Sequence, residues 1–184
     1  MLTNGSTETQ QTNTSSQTKP FRVLGVDPGL QVTGYAIVES VKGKAVVREA
    51  GVIRSAEGRT KEEMAIRLQK LHSGLSEVLK QFKPDGMAME QLFAHYNHPR
   101  TAILMGHARG VLMLAAAQHN VSVQSYSATH VKRSITGSGR ASKEQIQYTM
   151  MRELSLPQLP EPADVADALA VALCHYFECR NAKD

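Results

Sequence analysis

The stretch Phe21-Arg22-Val23-Leu24-Gly25-Val26-Asp27-Pro28-Gly29 reads as a short, mostly apolar strand that stops at an acid and a Pro-Gly turn. Alternation along it puts Val23, Gly25 and Asp27 on one face and Leu24 and Val26 on the other, so Asp27 stands at the rim of a central strand. Toward the C-terminus, Val32 to Glu39 and Ala45 to Ile53 repeat the β-rich pattern on either side of Lys42-Gly43-Lys44. Three strands joined by such turns predict an antiparallel meander. Toward the N-terminus the composition changes at once. Residues 1–19 are mostly Ser, Thr, Asn and Gln with almost no apolar content, which predicts a disordered tail without an export or targeting signal.

Beyond the meander, Thr60 and Glu63 have capping-box spacing, and Met64, Leu68, Leu71, Leu75, Val78, Leu79 and Phe82 recur at helical intervals up to Lys83-Pro84-Asp85-Gly86. Met87 to Leu92 predicts a fourth strand. The helix after Pro99 carries apolar residues around nearly its whole circumference, which predicts burial on more than one side. Val121 to Tyr126 predicts a fifth strand. A short helix opened by Ser127, the Gly137-Ser138-Gly139 loop and a helix capped by Ser142 with Gln145 follow. The last helix starts behind Pro160-Glu161-Pro162 and runs to about Glu178. The order βββαβαβαα around one mixed sheet predicts an α/β fold, with a single domain at 20–179 and a short tail at 180–184.

At 184 residues the chain suits one compact domain. With 41% hydrophobic and 21% charged residues it matches ordinary globular composition, and no apolar run approaches the roughly 18 residues of a membrane span. The net charge of +4 permits a polyanionic partner but is too small to identify one. Cys174 and Cys179, the only cysteines, point apart on a helix, which predicts a reduced, cytoplasmic setting.

Four acids stand out. Glu90 interrupts Met87-Ala88-Met89-Glu90-Gln91-Leu92, where burial penalises a charge by several kcal/mol unless something positive lies near. Asp164 and Asp167 are about 60° apart on one helix face, directed toward its apolar side. Singly, each has an ordinary explanation: a turn at Asp27, a core salt bridge at Glu90, helix-dipole preference at Asp164 and Asp167. Together they suggest carboxylates kept ionised by a divalent cation, and oxygen donors without His or Cys suit Mg²⁺ or Mn²⁺.

These residues also match a family. Gly25-Val26-Asp27-Pro28-Gly29 with Thr33-Gly34-Tyr35, Glu90-Gln91-Leu92-Phe93, Gly106-His107-Ala108-Arg109-Gly110, and Ala163-Asp164-Val165-Ala166-Asp167-Ala168 lie in the order found in the RuvC Holliday junction resolvases, which the sequence resembles from about Phe21 to Tyr176. The resemblance implies a ribonuclease H-like fold with a central mixed five-stranded sheet flanked by helices. It further implies a homodimeric endonuclease that nicks four-way DNA junctions symmetrically, leaving 5′-phosphate and 3′-hydroxyl ends, alongside a RuvA–RuvB branch-migration complex. Asp27, Glu90, Asp164 and Asp167 match its metal-binding and catalytic positions, where two Mg²⁺ ions about 4 Å apart would act. Lys132 and Lys143 match lysines near the scissile phosphate, in a basic segment with Arg133, Arg140 and Arg152. Phe93 matches an aromatic that contacts bases at the junction centre, and Asn97 is the familiar residue in the otherwise atypical segment His95 to Arg100. His107 stands where a glutamine is expected, and a long basic C-terminal extension is missing.

Two other classes share features with this chain. Asp27-x-Gly29 with Gly34 resembles the phosphate loop of actin-like ATPases, but those need a second such domain and no second loop is present. A module that holds branched DNA, or a relative that trims RNA, would keep the basic segment; the intact acids favour cutting over holding.

Overall fold

The computed structural model describes residues 20–56, 63–92 and 99–182. Strand β1 (Arg22–Asp27) has the expected alternation, and it lies at the middle of a five-stranded sheet. Its antiparallel neighbour β2 (Val32–Val41) pairs in turn with β3 (Lys44–Arg54), which confirms the meander. On the other side β1 pairs in parallel with β4 (Gly86–Glu90), and β4 with β5 (Val123–Tyr126), so the sheet is mixed with the order β3-β2-β1-β4-β5.

Helices α1 (Met64–Phe82) and α2 (Pro99–Gln118) cover one face of the sheet. There Leu24, Val26, Met87 and Met89 pack with Leu71, Leu75 and Leu112. Helices α3 (Ala128–Thr136), α4 (Lys143–Glu153) and α5 (Ala163–Asn181) cover the other, and Val23, Val38 and Ala88 meet α5, which is buried without a break from Ala168 to Cys174. The element order is therefore βββαβαβααα: the three helices expected after Ser127, Ser142 and Pro162 are all present, one more than the expected string counted. Ser127 Oγ accepts from the His130 N–H, and Ser142 and Gln145 form the reciprocal capping box.

Other differences have local causes. Strand β4 stops at Glu90 rather than Leu92, and β5 starts at Val123 rather than Val121. Val121 is used to end α2: its N–H bonds the Ala116 carbonyl and that of Asn120, at φ 57°, bonds Ala117, a Schellman closure. Helix α1 begins at Met64 with Glu63 as its N-cap and no side-chain cap bond, so Glu63 is not the third residue of a box; Thr60 lies outside the described residues. Helix α5 continues to Asn181, past Glu178. Helix α2 is buried on one side only: Ala108, Leu112, Ala115 and Ala116 are covered, whereas Ile103 (61% exposed), Leu114 (52%), Met113 and Met105 are bare. The predicted tail at 1–19 and the last two residues lie outside the described residues. Among the described residues no helix is long and apolar enough to cross a membrane.

Candidate metal centre

The register of the parallel pair β1–β4 sets Gly25 beside Ala88 and Val26 beside Met89, so the next residues along the two strands are Asp27 and Glu90. Strand periodicity gives both acids the face of Gly25 and Ala88, the face that α5 covers. Close approach of α5 depends on two glycines. A Cβ at Gly25 would stand 2.1 Å from the Ala168 carbonyl oxygen, and one at Gly34 would stand 2.0 Å from that of Asp164. Gly34 is the strand partner of Asp27. Helix α5 thus delivers its first turn, with Asp164 and Asp167, to the ends of β1 and β4.

The loop behind Asp27 is closed by Thr33, which is fully buried. Its hydroxyl donates to the Gly29 carbonyl at 2.8 Å and accepts from the Gly29 N–H at 3.3 Å. Arg67 Nη2 donates to the Leu30 carbonyl at 3.0 Å, and Ser55 Oγ donates to the same oxygen. Thr33 was quoted from the sequence only as part of a motif, and Ser55 and Arg67 not at all, because each acts on backbone atoms of a loop that its own position does not reveal.

The acids sense one another. Asp27 is pushed up to about 7, first by burial and then by the negative charges of Asp167, Asp164 and Glu90. Burial and Asp167 raise Glu90, against which Lys132 pulls down. Burial raises Asp167, with Lys143 pulling down and Asp164 pushing up. Asp27 and Asp164 are half-buried, but Glu90 and Asp167 are exposed, which corrects the expectation that both sit in apolar surroundings. Glu90 is open because β4 ends there, and Asp167 looks into a concave wall rather than into the core; protein around each displaces water without covering it.

That wall is a cavity of about 210 Å³ lined by Glu90, Asp167, Lys132 and Lys143 over an apolar floor that includes Val131 and Met150. A second cavity, about 250 Å³, is lined by Asp27, Glu90, Gln91, Met105 and Arg109. Glu90 belongs to both. Lys132 and Lys143 therefore join the acids as expected, whereas Arg133 and Arg140 are exposed and line neither cavity. Phe93 and Asn97 lie outside the described residues.

None of the four acids forms an ion pair among the described residues. Nor do any three carboxylate, histidine or cysteine side chains among them gather tightly enough to hold one ion in common. The donor set itself, all hard carboxylate oxygens with neither His nor Cys among them, fits a hard divalent cation.

Arg109 is the residue the sequence reading gave no role. Its Nη1 donates to the Glu90 carbonyl and its Nη2 to Ser125 Oγ. The signal was present: a cation next to Ala108, near the buried turn of an otherwise apolar helix, is the counterpart of an acid in an apolar strand.

Comparison with known proteins places these residues in context. The family model for crossover junction endodeoxyribonuclease RuvC matches residues 23–175. A relative from Rhodopirellula baltica with that name is 52% identical over 162 residues, 88% of this chain and 89% of its own. One from Pelotomaculum thermopropionicum is 46% identical over 153 residues, 83% and 91% of the two chains. Among solved structures, T. thermophilus RuvC in complex with a Holliday junction substrate superposes with a TM-score of 0.80 at 33% identity, covering 88% of this chain and 96% of that one. The yeast mitochondrial Holliday junction resolvase, at 16% identity and a TM-score of 0.61 over 89% of this chain and 85% of its own, shares the fold. With the match running from β1 to α5 and through every strand that carries an acid, the chain belongs to the RuvC family of crossover junction endodeoxyribonucleases.

Proposed function

We propose that this chain resolves four-way DNA junctions by divalent-metal-dependent hydrolysis of phosphodiester bonds, with Asp27, Glu90, Asp164 and Asp167 as the metal ligands. One observation carries the reading: a carboxyl raised to about 7 by burial and three other acids, none of them paired with a described cation. The junction-bound T. thermophilus relative supports the substrate. Mg²⁺, with Mn²⁺ able to replace it, suits the oxygen donors, and the number of acids suits two ions.

Bound there, such ions would lower the pKa of an attacking water and stabilise charge on the phosphate oxygens. The chain's own contribution is placement. Glu90 and Asp27 approach from the sheet, Asp164 and Asp167 from α5, and Lys132 and Lys143 supply positive charge across the cavity where a scissile phosphate would lie. Phe93, Asn97, Arg133 and Arg140 are proposed as further DNA contacts. The products would carry 5′-phosphate and 3′-hydroxyl ends.

Paired nicks need two sites, and the bare face of α2 offers a way to bring them together. Gly106 and Gly110, with nothing within 4 Å of a Cβ at either, would let a helix of a second copy approach beside Ile103 and Leu114. Residues 20–179 would form the nuclease domain, acting in the cytoplasm beside a RuvA–RuvB complex. The test is a panel of four-way junction, linear duplex and RNA–DNA hybrid, with and without Mg²⁺. Wild type should cut the junction alone and only with Mg²⁺, and Asp27→Asn should bind it without cutting. Equal cleavage by both proteins would falsify the assignment of Asp27.

A further inference from the structure

Strand β4 ends abruptly at the one acid that belongs to both cavities. Beyond it, among the described residues, the sheet offers a single bond, from the Gln91 N–H to the Tyr126 carbonyl at 2.8 Å. The Glu90 carbonyl is taken instead by Arg109, which reaches through from α2 on the opposite face of the sheet and with its second amino group holds Ser125 Oγ in β5. One guanidinium therefore clamps the ends of two neighbouring strands at the level of the acids.

A charged group in that place is costly. Arg109 is half-buried, burial pushes its pKa down, and it forms no ion pair among the described residues. Two neutral acceptors do not require a full positive charge, because an amide or a hydroxyl would satisfy a carbonyl at lower desolvation cost. What the position adds is proximity: Arg109 lines the cavity that also holds Asp27 and Glu90. Its planar fork fixes two acceptors at once, in two different strands, which a lysine ammonium cannot do.

We infer that Arg109 is a positioning residue for the metal-binding carboxylate of Glu90, fixing the main chain where β4 stops and so the direction in which that carboxylate leaves the sheet. The inference rests on the nuclease reading above and deepens it. Groups that orient a metal ligand without touching the metal commonly change metal affinity by about 10- to 100-fold when removed. Arg109 should behave in this way.

The experiment uses the full chain as wild type, Arg109→Lys and Ser125→Ala. Thermal melting is followed with EDTA and with increasing Mn²⁺, junction cleavage is followed over the same Mn²⁺ series, and junction binding is measured in EDTA. Wild type should melt at higher temperature with Mn²⁺ and cut. Arg109→Lys should bind the junction as wild type does, yet need at least about tenfold more Mn²⁺ both to raise its melting temperature and to reach half-maximal cleavage. Ser125→Ala, which removes only one acceptor, should shift both in the same direction by a smaller factor, and it decides the matter if Arg109→Lys fails to fold. Wild-type Mn²⁺ dependence in the folded variants overturns the positioning role while leaving the nuclease reading intact. A wild type that neither melts higher with Mn²⁺ nor cuts overturns both.

Discussion

Gly34 and Asp164 touch so closely that a Cβ on the glycine would stand 2.0 Å from the carbonyl oxygen of the aspartate, and Gly34 is also the strand partner of Asp27. The missing side chain is what lets the first turn of α5 sit over the end of β1. Gly34→Ala should push that turn outward and separate Asp164 from Asp27. Overpacking of this kind costs about 1–3 kcal/mol of stability. Cleavage should fall by about a hundredfold, since misplacement of about 1 Å is enough for that loss. Single-turnover cleavage beside a gel-shift titration checks this: junction binding should stay within a few-fold of wild type.

In the metal-free protein burial and the neighbouring acids push the Asp27 carboxyl up to about 7, well above the ordinary carboxylate range. A carboxyl raised on folding makes its full contribution below about pH 4, where both states are protonated, and loses it as pH rises through 7. Glu90 and Asp167 are shifted in the same direction. Stability without metal should therefore decline from pH 4 to pH 7. Asp27→Asn should flatten that decline and stabilise the metal-free protein at pH 8 by on the order of 2 kcal/mol. Urea unfolding in EDTA across this range is the measurement, and parallel curves for the two proteins would refute the crowding of acids around Asp27.

Lys132 opposes the rise of Glu90, and Lys143 opposes that of Asp167. Replacing either with Ala should slow cleavage by about tenfold or more and reduce the salt dependence of junction binding by about one unit of slope. Arg152 serves as the comparison, since it is exposed and pairs with Glu153 at 3.1 Å. Arg152→Ala should leave the cleavage rate within about twofold, as surface pairs contribute little.

The bare side of α2 gives a prediction about assembly. Leu114→Asp and Ile103→Asp place a charge on residues that are already 52% and 61% exposed, so the folded protomer should tolerate them. A dimer seated on that face should not. Sedimentation at micromolar concentration should report dimer for wild type and monomer for both variants; unchanged sedimentation of the variants would show that the copies meet elsewhere or not at all.

Local chemistry made much of this fold legible. Ser127 and Ser142 with Gln145 marked helix starts because their side chains bond backbone groups within a few residues, and Pro162 because its fixed φ suits the entry to a helix. Glu90 was conspicuous because an acid in an apolar strand has no propensity reason to be there, whereas Asp27, which a turn could explain, gained weight only beside it. Pairing was not legible. That Val26 lies beside Met89, and hence Asp27 beside Glu90, depends on a register set by two segments more than 60 residues apart in the chain. The end of β4 was misjudged for the same reason: Gln91-Leu92 continues the apolar pattern after the neighbouring strands have run out. The periodicity of α2 correctly reported an apolar circumference, but no periodicity says whether the chain's own core or a second copy covers it. Arg109 escaped because its partners are a backbone carbonyl and a serine in other strands.

Half of the four-acid set rides on α5, which follows every strand of the sheet in chain order. A nascent polypeptide that has extruded the whole sheet still carries only Asp27 and Glu90 and has nothing to lay across Gly25 and Gly34. On the proposed nuclease reading such an intermediate is latent by construction, and docking of α5 at once seals the sheet and completes the set of acids.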